Sequence, residues 1–339
     1  MKQTCLITGA VGFIGFHLSI KLLENGFNII GFDNMNSYYD IKLKKARLNN
    51  IKNLANKNNL SWKFIKGDVV DKKLLNKIFK KYDPEIVVNL AAQAGVRYSL
   101  KNPSVYIQSN IVGFNNIIEL SSNYNVKTFL YASSSSVYGE NKKLPFSEKD
   151  PVNYPVSLYA ATKRSNELIA HTYSHLYGLP TTGIRFFTVY GPWGRPDMAP
   201  MIFTKSILEG KPIRIFNNGR MTRDFTYIDD ATKILEELIS KLVKTGHNRK
   251  NKDIKNTNSH SKIFNLGNSQ PISLMSFINC IEKELNIKSI KIFEKMQPGD
   301  VQSTHADTEM LNSFIGIKPN TSINVGIRKF INWYKEYYM

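Results

Sequence analysis

Cysteine is nearly absent from this 339-residue chain, and the two that occur, Cys5 and Cys280, allow at most one bridge. That excludes a disulfide-stapled scaffold, and neither residue has zinc-ligand spacing, so no metal is expected. Each stands in an apolar context suited to a reduced thiol. No run of ~20 apolar residues occurs, which leaves no candidate membrane-spanning helix. The apolar stretch over residues 5–7 is too short for a secretory signal and breaks into glycine at once. A soluble cytoplasmic protein with no membrane partner is the expectation.

Acidic residues are scarce as well, 27 against 46 lysines and arginines, for a net charge of +19. Such an excess raises the question of nucleic-acid binding. The lysines, however, fall largely in Lys/Asn-rich stretches, notably 42–81 and 241–262, with little aromatic interleaving and no nucleic-acid motif. These stretches read as solvated faces, and no nucleic-acid partner is expected. A basic field would still concentrate an anionic substrate near the protein. With 42% hydrophobic and 22% charged residues, the chain has ordinary globular composition and can build a sizeable core.

What is present is alternation. Short β-branched runs predict strands over 3–8, 28–33, 61–66, 85–90, 126–132 and 179–185. Between them, apolar residues at helical spacing predict helices over 12–25, 42–56, 72–80, 103–122 and 157–177. This order is that of repeated βαβ units, hence an α/β fold with a doubly wound parallel sheet. The division expected is a nucleotide-binding domain over 1–185 and a smaller α/β lobe over 186–339, some of whose segments return to the sheet. No internal repeat is apparent, and the polar run over 245–262 reads as a surface loop without function.

The glycines Gly9, Gly12 and Gly15 lie between the first strand and the first helix, with Phe13 and Ile14 opening that helix. In that context glycines admit a dinucleotide pyrophosphate close to the backbone, against the free N–H groups of a helix N-terminus. Asp33 ends the second strand, 24 residues after Gly9, where a carboxylate accepts from both ribose hydroxyls and repels a 2′-phosphate. The cofactor expected is therefore NAD, with Asn34 beside it. Asp68 and Val69 end the third strand, where Asp68 is placed to meet the adenine amino group. Leu90, Ala91 and Ala92 leave the fourth strand as small or apolar residues beside the cofactor.

Tyr159 and Lys163 stand four apart on a predicted helix and so share a face. Tyr38 and Lys42 have the same spacing, so spacing alone decides nothing. Tyr159 differs by following the fifth strand, whose exit supplies the hydroxyls of Ser134, Ser135 and Ser136 to the same crevice. A phenol of pKa ~10 is ionised only about one part in a thousand at pH 7, and bringing it to neutrality takes about 4 kcal/mol. Lys163 and a positively charged nicotinamide can supply that together. Ser134 would bond the reacting oxygen and relay the proton.

Taken together, these residues resemble the extended short-chain dehydrogenase/reductase family, and within it the nucleotide-sugar epimerases. The resemblance spans Gly9 to about Asp307 and implies a Rossmann-type domain, a C-terminal substrate lobe, tightly held NAD and a homodimer formed through the helices at 103–122 and 157–177. It also implies that Ser134, Tyr159 and Lys163 are catalytic. The phrases QAGVRYS from Gln93, FFTVYGPWGRPDM from Phe186 and QPGDV from Gln297 are similar to those of UDP-glucuronate 4-epimerases. That likeness implies that Ser135, Ser136, Thr188 and Arg195 surround a sugar carboxylate, that Arg223 grips the diphosphate, and that Arg97 and Asp300 touch the UDP side. It implies C4 epimerisation of UDP-glucuronate to UDP-galacturonate through a 4-keto sugar. The alternatives are a C4 epimerase of a neutral UDP-sugar, a UDP-glucuronate decarboxylase and, from another class, a non-catalytic RNA-binding scaffold. A 4,6-dehydratase is disfavoured, because Ser135 and Ser136 stand where such enzymes carry an acidic pair.

Overall fold

The computed structural model describes residues 3–244 and 260–339. In its first half, strands β1 (Thr4–Thr8), β2 (Asn28–Asp33), β3 (Trp62–Lys66), β4 (Ile86–Asn89), β5 (Thr128–Ser134) and β6 (Thr181–Phe186) lie within two residues of the expected bounds. The helices between them are α1 (Phe13–Glu24), α2 (Ile41–Lys57), α3 (Lys72–Tyr82), α4 (Val96–Lys101), α5 (Pro103–Tyr106), α6 (Gly113–Asn123) and α7 (Leu158–Tyr177). The helix expected over 103–122 is broken into α5 and α6 by a π-helical turn, Ile107–Val112. Such turns admit one extra residue and often re-aim a side chain at a functional site.

Farther along run β7 (Thr188–Tyr190), α8 (Ala199–Leu208), β8 (Ile213–Ile215), β9 (Thr222–Tyr227) and α9 (Ile228–Lys244). They are followed by β10 (Ser261–Leu266), β11 (Pro271–Ser273), α10 (Leu274–Leu285), β12 (Lys291–Phe293), α11 (Glu309–Ile315) and α12 (Ile323–Tyr338). The segment 245–262, expected to be a loop, lies mostly outside the described residues. Its end departs from that expectation, because Ser261 and Lys262 open β10 and pair with Thr181 and Thr182 of β6.

The central sheet is parallel throughout, in the order β10-β6-β5-β4-β1-β2-β3. Cys5–Leu6–Ile7 and Ile86–Val87–Val88 are fully buried, the continuous apolar pattern of strands covered on both faces. One layer packs α1 and α9 through Phe16, Leu22, Leu235 and Leu238. The opposite layer packs α3, α6 and α7 through Phe79, Ile117 and Ala170. Strand order reverses between β1 and β4, and the crevice beyond the carboxyl ends of the strands opens there.

The later residues make a three-stranded sheet, β11-β9-β7, and a parallel pair, β12-β8. Buried Asp224 of β9 ties in the loop after β10 and the segment before α11, accepting from the backbone N–H groups of Asn268 (2.7 Å), Ser269 (3.0 Å) and Ala306 (2.9 Å). Of the two thiols, Cys5 is buried and Cys280 only partly so, and both are free.

Candidate active site

The glycine turn after β1 is built by contact rather than by loop flexibility. Gly9 has φ +69°, and a Cβ there would lie 2.8 Å from the Ala91 nitrogen; one on Gly15 would lie 2.1 Å from the Gly9 carbonyl oxygen. Gly12 donates to Gly9 O at 2.9 Å and N-caps α1 with no side-chain cap. The first-turn N–H groups are thus left free to meet an anion. Thr8 Oγ1 accepts from Ala91 N at 3.2 Å, tying the exits of β1 and β4 together. This cradle fits a dinucleotide: a side chain at Gly9 or Gly15 would strike the backbone of Ala91 or Gly9 and force the turn apart, and all three glycines line the cleft.

Gly9, Gly12, Phe13, Ile14, Gly15, Asp33, Asn34, Val69, Leu90, Ala91 and Ala92 all line one cleft of about 1020 Å³. That volume sits at the top of the ~300–1,000 Å³ range of small-ligand sites. Asp33 accepts from Met35 N at 2.8 Å and Val11 N at 3.3 Å. Burial pushes its carboxyl up, against those bonds and the charges of Lys44 and Arg47. Asp68 stands behind the lining and accepts from Asn34 Nδ2 at 2.8 Å, so it orients Asn34.

Across the cleft lie Ser134, Ser135, Ser136, Tyr159, Lys163, Thr188 and Arg195. Ser134 ends β5, caps the following 3₁₀ turn through Ser136 N at 3.1 Å, and donates to Ser136 Oγ at 3.1 Å. Ser157 caps α7, which starts the helix just before Tyr159 and aims that face at the serine turn. Burial pushes the Tyr159 phenol up, opposed by its hydrogen bond with Ser134 and the charge of Arg195. Lys163 Nζ donates to Ala132 O at 2.7 Å, and burial brings its ammonium down to about 8. The lowering expected of the phenol is a joint effect of Lys163 and a positively charged nicotinamide; in the protein alone the ammonium donates to a backbone carbonyl.

On the distal side, Arg97 Nη2 pairs with Asp300 Oδ2 at 2.7 Å and its guanidinium stacks on Phe216. Arg223 lines the cleft while donating to three carbonyls, Thr222 O (2.8 Å), Gln302 O (3.0 Å) and Val301 O (2.7 Å). Burial pulls its pKa down and the Asp300 charge opposes that. Arg195 does not point to bulk water. It pairs through two nitrogens with Asp197, Nε to Oδ1 at 3.0 Å and Nη2 to Oδ2 at 2.5 Å.

Several site residues escaped the sequence reading. Arg47, fully buried in the stretch read as a solvated face, donates to Val11 O (3.0 Å), Trp193 O (2.5 Å) and Gly194 O (3.2 Å). It joins the glycine turn to the loop bearing Arg195. Lys44, also buried, donates to Asn36 O at 2.9 Å and lines the cleft. Both occupy the stripe of α2 that carries Leu43, Leu48, Ile51 and Ala55, a helical period that the lysine content masks. Asn110, in the π turn, donates to Gln93 O and Thr162 Oγ1, each at 3.0 Å, and bonds the β4 exit to α7.

Fold and cleft together define a dinucleotide-dependent enzyme of the doubly wound α/β class. The chain belongs to the NAD dependent epimerase/dehydratase family, whose sequence model matches residues 5–254. It is 50% identical over 335 residues to Protein CapI of Staphylococcus aureus, with 98% of both chains covered. It is 48% identical over 341 residues to UDP-glucuronate 4-epimerase 4 of Arabidopsis thaliana, covering 99% of this chain and 76% of that one. Among solved structures, UDP-glucuronic acid 4-epimerase from Bacillus cereus, in complex with UDP-glucuronic acid and NAD, superposes with a TM-score of 0.87 at 31% identity, over 99% of this chain and all of that one. Among the described residues no helix is long and apolar enough to cross a membrane, and no metal-binding cluster occurs.

Proposed function

We propose that this chain is a UDP-glucuronate 4-epimerase, which inverts C4 to give UDP-galacturonate through a transient 4-keto sugar. The observation that carries the reading is the position of Arg195, inside the cleft with Ser135, Ser136 and Thr188 and within electrostatic reach of Tyr159. A cation and three hydroxyls lining the same cleft suit a carboxylate better than a hydroxymethyl group.

NAD, once bound, is the oxidant that opens the reaction and the reductant that closes it, so no external reductant is consumed. Gly9, Gly12 and Gly15 would take its pyrophosphate and Asp33 its ribose. As the phenolate, Tyr159 takes the C4 hydroxyl proton, and Ser134, hydrogen-bonded to Tyr159, would bond the same substrate oxygen and relay the proton. Lys163, anchored on Ala132, would hold the cofactor ribose and, together with the charge a bound nicotinamide supplies, would lower the phenol. Arg223 and the Arg97–Asp300 pair hold the UDP side while the 4-keto ring turns. Residues 1–185 would then hold the cofactor and the catalytic set and residues 186–339 most of the substrate side, with Arg97, Ser135 and Ser136 reaching the substrate from the first half.

A ketone at C4 makes the uronate a β-keto acid, which loses carbon dioxide when the bond to C6 aligns with the carbonyl π system. Arg195 and the hydroxyls must hold the carboxylate out of that alignment, which is orientation rather than binding strength. A neutral-sugar epimerase would share Ser134, Tyr159 and Lys163 but has no use for Arg195.

The chain would act in the cytoplasm as a homodimer. Ile107 and Val112 in the π turn, with Leu168, Leu176 and Tyr177 on α7, are exposed apolar side chains on the helices expected to meet. The test is product identity by proton NMR. UDP-glucuronate should yield UDP-galacturonate without added NADH, and Tyr159→Phe should lose at least ~100-fold in turnover while retaining NAD. Conversion of UDP-glucose but not UDP-glucuronate would overturn the reading.

A further inference from the structure

A guanidinium has five N–H donors on a plane and two edges that can each take a carboxylate in two-point fashion, one through Nε and Nη2, the other through Nη1 and Nη2. In Arg195 the first edge is filled by Asp197. The same Asp197 Oδ2 accepts from Tyr38 OH at 3.1 Å, and Tyr38 comes from the loop after β2, on the cofactor side. Tyr38 is braced against Tyr98, ring centroids 5.0 Å apart. Gly95, at φ +106°, leaves the room this trio needs: a Cβ there would lie 2.9 Å from Tyr38 OH and 3.8 Å from Arg195 Nη2.

We infer that Asp197, held by Tyr38, is a positioning residue that fixes the plane of Arg195 so that its second edge alone meets the carboxylate of the uronate. The inference rests on the uronate reading of the site and adds residues to it that act through Arg195. Burial pushes the Asp197 carboxyl up, but the charge and hydrogen bonds of Arg195, with the hydroxyl of Tyr38, outweigh it and keep it ionised. Burial and the Asp197 charge lift the Tyr38 phenol to about 12, so it stays a neutral donor. Two effects then oppose each other. Asp197 repels an incoming carboxylate, and it removes the freedom of a long, flexible side chain that would otherwise be ordered on binding. Orientation wins where the chemistry punishes a rotated carboxylate, as the 4-keto sugar does.

The experiment compares wild type, Asp197→Ala, Asp197→Asn and Tyr38→Phe as NAD-loaded proteins. Calorimetric binding of UDP-glucuronate and UDP-glucose is measured first, then the ratio of UDP-pentose to UDP-galacturonate formed. Asp197→Ala should weaken UDP-glucuronate binding about tenfold, the scale of one charge-assisted hydrogen bond, leave UDP-glucose within about twofold, and leak pentose. Asp197→Asn keeps one acceptor for Arg195 and should lie between, and Tyr38→Phe should leak pentose to a smaller extent. Equal loss on both sugars, tighter binding of UDP-glucuronate by Asp197→Ala, or identical behaviour of the Ala and Asn variants would overturn the inference. Binding is read whether or not the sugar turns over. An inert wild type therefore counts against the function, whereas an active wild type matched by Asp197→Ala counts against this inference alone.

Discussion

Arg185 and Glu167 meet in a fully buried, two-point ion pair behind the serine turn, Nε to Oε1 at 2.8 Å and Nη2 to Oε2 at 3.0 Å. Ser133 Oγ adds a third bond to Oε1 at 2.7 Å, and Arg185 Nη1 donates to Tyr138 OH at 3.1 Å. The pair joins β6 to α7, so it sets where the helix carrying Tyr159 and Lys163 lies against β5. Removing one partner strands a buried charge. Glu167→Ala should lose about 3–5 kcal/mol in urea denaturation, and an unchanged midpoint would show that the pair is not a structural anchor.

Lys163 is the reverse case, a charge kept at a cost. Its value falls from an ordinary 10.5 to about 8 because burial disfavours the ammonium. Below pH 8 both folded and unfolded chains are protonated there, and the folded state bears the full penalty. Between 8 and 10.5 only the unfolded chain holds the proton, so stability from this residue rises with pH and is complete above 10.5. The interval corresponds to about 3 kcal/mol, less about 1 kcal/mol for the bond to Ala132 O. Lys163→Met should therefore be inactive yet more stable than wild type by about 2 kcal/mol at pH 7. As read from paired denaturation curves, the gap should close and then reverse slightly as pH passes from 8 to 10.5, because the neutral amine still bonds Ala132 O; a pH-independent gap would contradict this.

The glycine turn makes a third prediction. Gly15→Ala places a Cβ 2.1 Å from the Gly9 carbonyl oxygen and 3.1 Å from Ala10 Cα, so the helix start must move off the turn. The purified variant should carry little NAD by chromatography of the released nucleotide. Gly26→Ala is the control: at φ +84° with nothing within 4 Å of its Cβ, it should cost about 1 kcal/mol and keep NAD. Equal nucleotide content in the two variants would contradict the cradle.

The parallel sheet was legible because each buried strand is a short apolar run ending in residues with turn or ligand chemistry, such as Gly9, Asp33 and Asn89. The glycine turn and the Ser134, Tyr159 and Lys163 set were legible for the same reason: local spacing carries them. Arg47 was not, since the carbonyls it reaches, Val11, Trp193 and Gly194, come from two turns remote from α2 in the chain. Asp197 stood inside a phrase already singled out, yet its hold on Arg195 is shared with Tyr38, 159 residues away. The π turn escaped because one inserted residue leaves the apolar spacing of 103–122 nearly intact. β10 escaped because its first residues, Ser261 and Lys262, continue a polar run and are selected as strand only by pairing with β6.

The claim on which the account depends is that C4 is oxidised and reduced again within one cleft while the uronate is kept whole. UDP-glucuronate deuterated at C4, given to the NAD-loaded protein with no added reductant, tests it directly. Proton NMR and mass spectrometry should find UDP-galacturonate with the deuterium still at C4 and no carbon dioxide released. Deuterium lost to solvent, or a pentose as the main product, would contradict it.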